Sequence, residues 1–142
     1  MTPEQLLFFA IAFGKHLIAF ALAIALLTGF TRFYVWFTPY NEFDEIQAGR
    51  VASAISLGGA MIGFTIPLLV AMLVTTTMYG FVAYLGMFTV WAGFVCLVQL
   101  GCFKVMYRFY PKQIESNNIA AATIYAFVSA CVGALNAVCI IP

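Results

Sequence analysis

An all-α integral membrane protein of four transmembrane helices is the fold class that this chain predicts, on three observations. Four apolar stretches, residues 6–30, 51–74, 81–103 and 119–140, are each long enough for a helix to cross a hydrocarbon core of about 30 Å, which takes about 20 residues. The chain is 65% hydrophobic and only 8% charged, too little polar surface to cover a small soluble domain. The runs are also continuous, whereas a membrane β-strand alternates lipid-facing and lumen-facing residues over about ten positions. One membrane domain is expected over residues 1–142.

The first helix follows a segment that carries Glu4 and no Lys or Arg, so it lacks the basic region of a cleaved signal peptide and is expected to stay in the membrane. Lys15 and His16 are its unexpected residues. Entry at Leu6 would place Lys15 nine residues on, roughly 14 Å deep at about 1.5 Å per residue. A charge there costs about 2.5 to 3.5 kcal/mol on insertion scales, so it should face the bundle or water. A crossing from Leu17 to Phe37, or a lysine stem reaching back to the interface, would relieve that cost.

The loop that follows carries Glu42, Asp44 and Glu45. These could form an acidic patch that docks a cytoplasmic partner, against the plainer reading of a solvated face; they lack EF-hand spacing. In the second helix, Pro67 has no donor for the carbonyl of Gly63, and Thr65, Ser129 and Asn136 are candidate partners for that oxygen. Lys15, His16, Gly63, Pro67, Ser129 and Asn136 would then form a small polar site between the first, second and fourth helices; the plainer reading is a structural kink. Gln99 in the third helix reads as an interhelical hydrogen-bonder. Asn117 and Asn118 are suited to cap the fourth.

Small residues mark helix packing. Ser53, Ser56, Ala60, Gly63 and Pro67 recur at steps of three or four along the second helix, and Ala122, Ala126, Ser129, Gly133 and Asn136 along the fourth. Gly59, Gly63, Ser129, Gly133 and Ala137 belong to small-xxx-small pairs that allow close backbone approach, within one subunit or between subunits.

Charge sets orientation. Arg32 and Arg50 flank the first loop and Lys104, Arg108 and Lys112 the second, so the positive-inside rule places both loops in the cytoplasm and both termini outside. A net charge of +1 gives no reason to expect a nucleic-acid partner. Cys96, Cys102, Cys131 and Cys139 follow no metal or redox spacing, so no metal or cofactor is expected.

The chain also suggests an internal repeat. Residues 46–54 align without gaps on residues 114–122, and each copy follows an Arg-Phe-Tyr run and a proline: Arg32-Phe33-Tyr34 before Pro39, Arg108-Phe109-Tyr110 before Pro111. Two tandem two-helix units, about 6–76 and about 79–142, would share one orientation and be related by an axis along the membrane normal.

Thr38-Pro39-Tyr40-Asn41-Glu42, residues 58–68 from Gly58-Gly59 to Pro67-Leu68, Asn118-Ile119-Ala120-Ala121 and Gly133-Ala134-Leu135-Asn136-Ala137 together resemble the YjfL-like bacterial inner-membrane proteins, domain of unknown function family 350. Such proteins commonly show an Asn before the Ala-Ala pair opening the second helix; here Arg50 stands at that place and Ser53 replaces one Ala, and only the second copy keeps Asn118. The resemblance implies no settled activity. It implies a membrane part of a larger system, since genes of the family often lie beside envelope-stress components related to phage-shock protein A and beside ATP-grasp ligases.

No nucleophile, base and orienting group occur together. The leading expectation is therefore a non-enzymatic inner-membrane subunit, homo-oligomeric through its small-residue stripes, which presents its loops to an envelope-stress partner. The alternative is a small ion or solute channel or transporter using the polar site.

Overall fold

The computed structural model describes residues 2–38, 40–78, 80–107 and 111–141. Among them are six helices, α1 (Pro3–Phe37), α2 (Glu42–Gln47), α3 (Val51–Met78), α4 (Phe81–Tyr107), α5 (Pro111–Glu115) and α6 (Ile119–Val138). The four long ones, α1, α3, α4 and α6, are long and apolar enough to cross a membrane, in the places the hydropathy predicts. This is a polytopic membrane protein. The end carrying α2 and α5 is the loop end; the α3–α4 connection marks the turn end. Pro39 and the Arg108-Phe109-Tyr110 run of the repeat signature lie outside the described residues.

Hydropathy misplaces the ends of α1 because its boundaries are set by polar caps. The Thr2 backbone N–H donates to Gln5 Oε1 at 2.9 Å and Gln5 N–H to Thr2 Oγ1 at 3.4 Å, a capping box with Pro3 in the first turn. At the other end Thr38 Oγ1 donates to the Val35 carbonyl at 2.7 Å. The helix is therefore 35 residues long, roughly 52 Å at 1.5 Å per residue.

The bundle is built on the seam between α3 and α6. These helices run parallel, since Gly59 meets Ala126 while Gly63 meets Ser129 and Gly133. A Cβ on Gly63 would lie 2.8 Å from the Ser129 carbonyl oxygen and 2.9 Å from Gln99 Nε2. A Cβ on Gly133 would collide with the Gly63 carbonyl oxygen and stand 2.9 Å from its Cα. Ala137 is buried on the same face of α6. The small-residue stripes thus close on each other within one chain, which removes them from the subunit interface they were expected to form. Helix α4 packs against both seam helices, and Phe103 on it meets the Phe64 ring edge-on at 5.2 Å. Helix α1 leans on α3 and α4, burying only Ala19, Thr31 and Tyr34.

The turns before α3 and α6 share one backbone plan. Ala48, Gly49 and Arg50 donate to the carbonyls of Asp44, Ile46 and Glu45; Ser116, Asn117 and Asn118, each 68 positions later, donate to those of Lys112, Ile114 and Gln113. Gly49 (φ 79°) and Asn117 (φ 58°) hold the left-handed position in each turn, which glycine and asparagine adopt most readily. Arg50 pairs with Glu45 at 2.8 Å where Asn118 Nδ2 donates to Gln113 Oε1 at 2.8 Å. The side chains also cross between the turns. Asn118 caps α6 through the Ala121 N–H at 3.2 Å as expected, but Asn117 caps α3 instead, accepting from the Ala52 N–H at 3.0 Å. Arg50 Nη1 donates to the Glu115 carbonyl at 2.7 Å.

Replacing Gly133 with valine should cost about 1 to 3 kcal/mol of stability by overpacking the seam. Gly86→Ala, where an added Cβ meets nothing within 4 Å, should be neutral or stabilise by up to about 1 kcal/mol through helix propensity. Thermal unfolding in detergent checks both.

Candidate functional site

The six residues expected to form one polar site fall into two groups. Lys15 and His16 line an open recess of about 390 Å³ with Ala12, Ala19, Met72, Phe81 and Tyr84. The Lys15 ammonium stands 5.6 Å from the centre of the Phe81 ring, a cation–π contact with the first residue of α4. Lys15 is therefore at the turn end of the bundle and not in its middle. Residues 3–11 of α1 continue about 14 Å beyond that level with every side chain exposed.

Gly63, Pro67, Ser129 and Asn136 do not line that recess and lie on and beside the α3–α6 seam. None of the three candidate partners turns to the Gly63 carbonyl. Thr65 Oγ1 donates to Met61 O at 2.8 Å and Ser129 Oγ to Tyr125 O at 2.7 Å, each one turn back along its own helix. Asn136 Nδ2 donates to Val95 O on α4 at 2.8 Å. The freed Gly63 oxygen packs instead on Gly133, which has no side chain to displace it. Gln99 Nε2 donates to Ser129 O at 3.1 Å and is the interhelical tie that its position in α4 suggests.

A second polar cluster, at the loop end, was not foreseen as a site. Glu42 is fully buried, at 0% exposure, and neither carboxyl oxygen has a hydrogen-bond partner of good geometry. Ser53 and Ser56, one turn apart on α3, are equally buried and their hydroxyls are unpartnered. The Tyr34 hydroxyl on α1 faces both Glu42 and Ser56 and lies 3.0 Å from the Tyr125 hydroxyl on α6. Side chains of α2, α3 and α6 thus meet at the Tyr34 hydroxyl of α1. Tyr34 also lines a separate recess of about 70 Å³ with Phe37, Thr38, Leu100, Phe103 and Lys104.

This arrangement breaks up the expected acidic docking patch. Asp44 alone stays exposed; Glu45 is tied to Arg50, and Glu42 turns inward because the Asn41 cap, accepting from the Phe43 N–H at 3.2 Å, starts α2 with its first side chain against α3. Burial pushes the Glu42 carboxyl from its ordinary value of 4.5 up to about 8, with the Tyr34 hydroxyl pulling weakly the other way. Burial thus favours the neutral acid over the carboxylate. Ser53 and Ser56 were visible in the sequence as part of a stripe. The pairing of Tyr34 with Tyr125, 91 positions apart, carries no local signal.

Among the described residues no group of three or more His, Cys, Asp and Glu could hold a metal ion. The four cysteines are free, Cys96 buried and Cys131 and Cys139 exposed.

Comparison with known proteins places these features in a family context. The family model described as Domain of Unknown Function (DUF350) matches residues 7–140. The UPF0719 inner membrane protein YjfL of Escherichia coli (strain K12) is 25% identical over 123 residues, covering 84% of this chain and 88% of that protein. The protein of the same name from Escherichia coli O157:H7 matches to the same extent. No solved structure matches.

The raised Glu42 value has a definite sign for stability. The folded state holds a proton that the unfolded state releases near pH 4.5, so the contribution is complete below that pH and is lost as pH rises through about 8. Thermal stability in detergent should fall across this window by roughly 1.4 kcal/mol per pH unit at most, and Glu42→Gln should flatten the dependence and exceed the parent at the alkaline end.

Proposed function

The chain belongs to the DUF350 family, and from that premise we propose that it is a non-enzymatic subunit of a bacterial inner membrane, assembled with further copies of itself and serving as a scaffold in envelope maintenance. Both termini are placed in the periplasm and both loops in the cytoplasm by the positive-inside rule. The observation that carries the reading is the state of α1. Of its 35 residues three are buried, and Leu6, Leu7, Phe8, Phe9, Ile11 and Phe13 are each more than half exposed on a stretch that overshoots the bundle. A helix so long for one bilayer crossing, attached along one edge, offers an apolar face that a second copy can cover.

The subunit contact therefore moves from the small-residue stripes, which are closed within the chain, to α1. At the loop end the partner-facing groups are Arg32, Trp36, Asn41 and Phe43, around an open cleft of about 550 Å³. An envelope-stress partner would meet this cleft rather than an acidic patch. The channel or transporter reading is the weaker one, since Lys15 and His16 stand apart from Ser129 and Asn136, whose polar groups are held by Tyr125 and Val95 carbonyls.

Site-specific photo-crosslinking in membranes tests the proposal. A photoreactive residue at Phe9 or Phe13 should capture a second copy of this chain, whereas one at Val90 or Leu97 on the exposed face of α4 should not. Recovery of monomer alone from both α1 positions would remove the subunit reading.

A further inference from the structure

Helix α2 presents an unusual anchor. Glu42 is the one buried side chain among its residues, while Phe43, the large apolar group beside it, is 44% exposed. A short amphipathic helix is ordinarily seated by apolar side chains. Here a buried carboxyl group shares the seat with the partly buried Ile46 and faces Tyr34 of α1, whose hydroxyl also faces Ser56 of α3. An ionised carboxylate in such a place costs several kcal/mol unless a cation or a full set of donors meets it.

Among the described residues no Lys or Arg forms an ion pair with it. Helix α3 offers hydroxyls only, from Ser53 and Ser56; α1 offers Tyr34, and α6 offers Tyr125 behind it. On α2 itself, Asp44 is exposed and Glu45 is paired with Arg50, whose guanidinium also donates to the Glu115 carbonyl. Lys104 of α4 lies over the Phe37 ring at 5.7 Å, and Lys112 of α5 is exposed. Helix α2 is only six residues long and is followed by Gly49 in a left-handed conformation.

We propose that the Glu42 pocket is a proton-binding site, and that the bound proton holds α2 in its seat. With the proton in place the neutral acid shares the pocket with the Tyr34 and serine hydroxyls, and α2 lies against α3. When the acid O–H bond breaks, the electron pair stays on the carboxylate and the proton passes to water. The uncompensated charge then draws Glu42 toward water, and α2 leaves the bundle. This would change the cleft formed by Arg32, Trp36, Asn41 and Phe43, so the site would couple pH to the surface assigned above to a partner. The pocket argument itself rests on burial and partners within one chain; only this last coupling rests on the scaffold reading.

Hydrogen exchange on the full chain in lipid nanodiscs, at about pH 6 and about pH 9.5, tests it after correction for intrinsic exchange rates. The amides of residues 42–50 should lose protection by about tenfold or more at the higher pH, with α3 and α6 unchanged, and Glu42→Gln should hold protection at both. Protection that is equal at both pH values, or lost equally in Glu42→Gln, overturns the proposal. Infrared spectroscopy of the unmodified protein gives a reading that no variant can confound: a carboxylic-acid carbonyl band is expected near neutral pH and should vanish at the higher pH, and its absence near neutral pH also overturns the site. Either failure leaves the crosslinking result for α1 untouched, so the two proposals fall separately.

Discussion

Backbone contact between α3 and α6 is the constraint on which the rest of the molecule depends. Lipid tails are as apolar as the helix surfaces, so burial of apolar area cannot drive these helices together, and dispersion at short range must do so. Gly59, Gly63 and Gly133 supply that range: each sits where a Cβ would strike the facing helix. The seam also resolves the effect of Pro67. The carbonyl it deprives of a donor lies against Gly133, so the proline is accommodated by the same glycine that brings the helices together.

From the seam outward the polar groups follow a simple rule. Thr31, Thr65, Thr75, Thr89, Thr123 and Ser129 each return their hydroxyl to the carbonyl four residues back, which satisfies them without a partner helix. Amide side chains do the joining. Gln99 and Asn136 tie α4 and α6 across the interior, and Asn117 fastens the start of α3 to the turn before α6. Ser53, Ser56 and Glu42 depart from this rule, and among them Glu42 is the ionisable group, which is why it stands out as chemistry and the threonines do not.

Much of this was legible in the sequence. Length and hydropathy located four membrane helices, small-residue spacing found the seam, and Asn118 was read as a cap, because each of these signals is local and periodic. The reading failed where a side chain is used across the chain. Asn117 was assigned to the helix it precedes, yet its left-handed backbone turns the amide toward Ala52 on α3. Glu42 was read as one of three loop carboxylates, and hydropathy cannot separate an acid that faces water from one whose cap turns it inward. Lys15 looked costly because its depth was counted from Leu6; counted from Phe81, which it touches, it is at the edge of the bundle.

The two similar turns also show why one of them carries the chemistry. Their backbone hydrogen bonds coincide at an offset of 68 positions, and the Glu45–Arg50 pair occupies the place of Gln113 and Asn118. Charge has diverged where geometry has not. At the same offset Glu42 corresponds to Tyr110 and Asp44 to Lys112, so the second turn has no acid that could titrate in the same place. Arg50, 68 positions before Asn118, reaches across to the Glu115 carbonyl, and Asn117 reaches back to cap α3. The second turn thereby braces the first. A brace on one side and an ionisable seat on the other make α2, and not α5, the element free to respond to a proton.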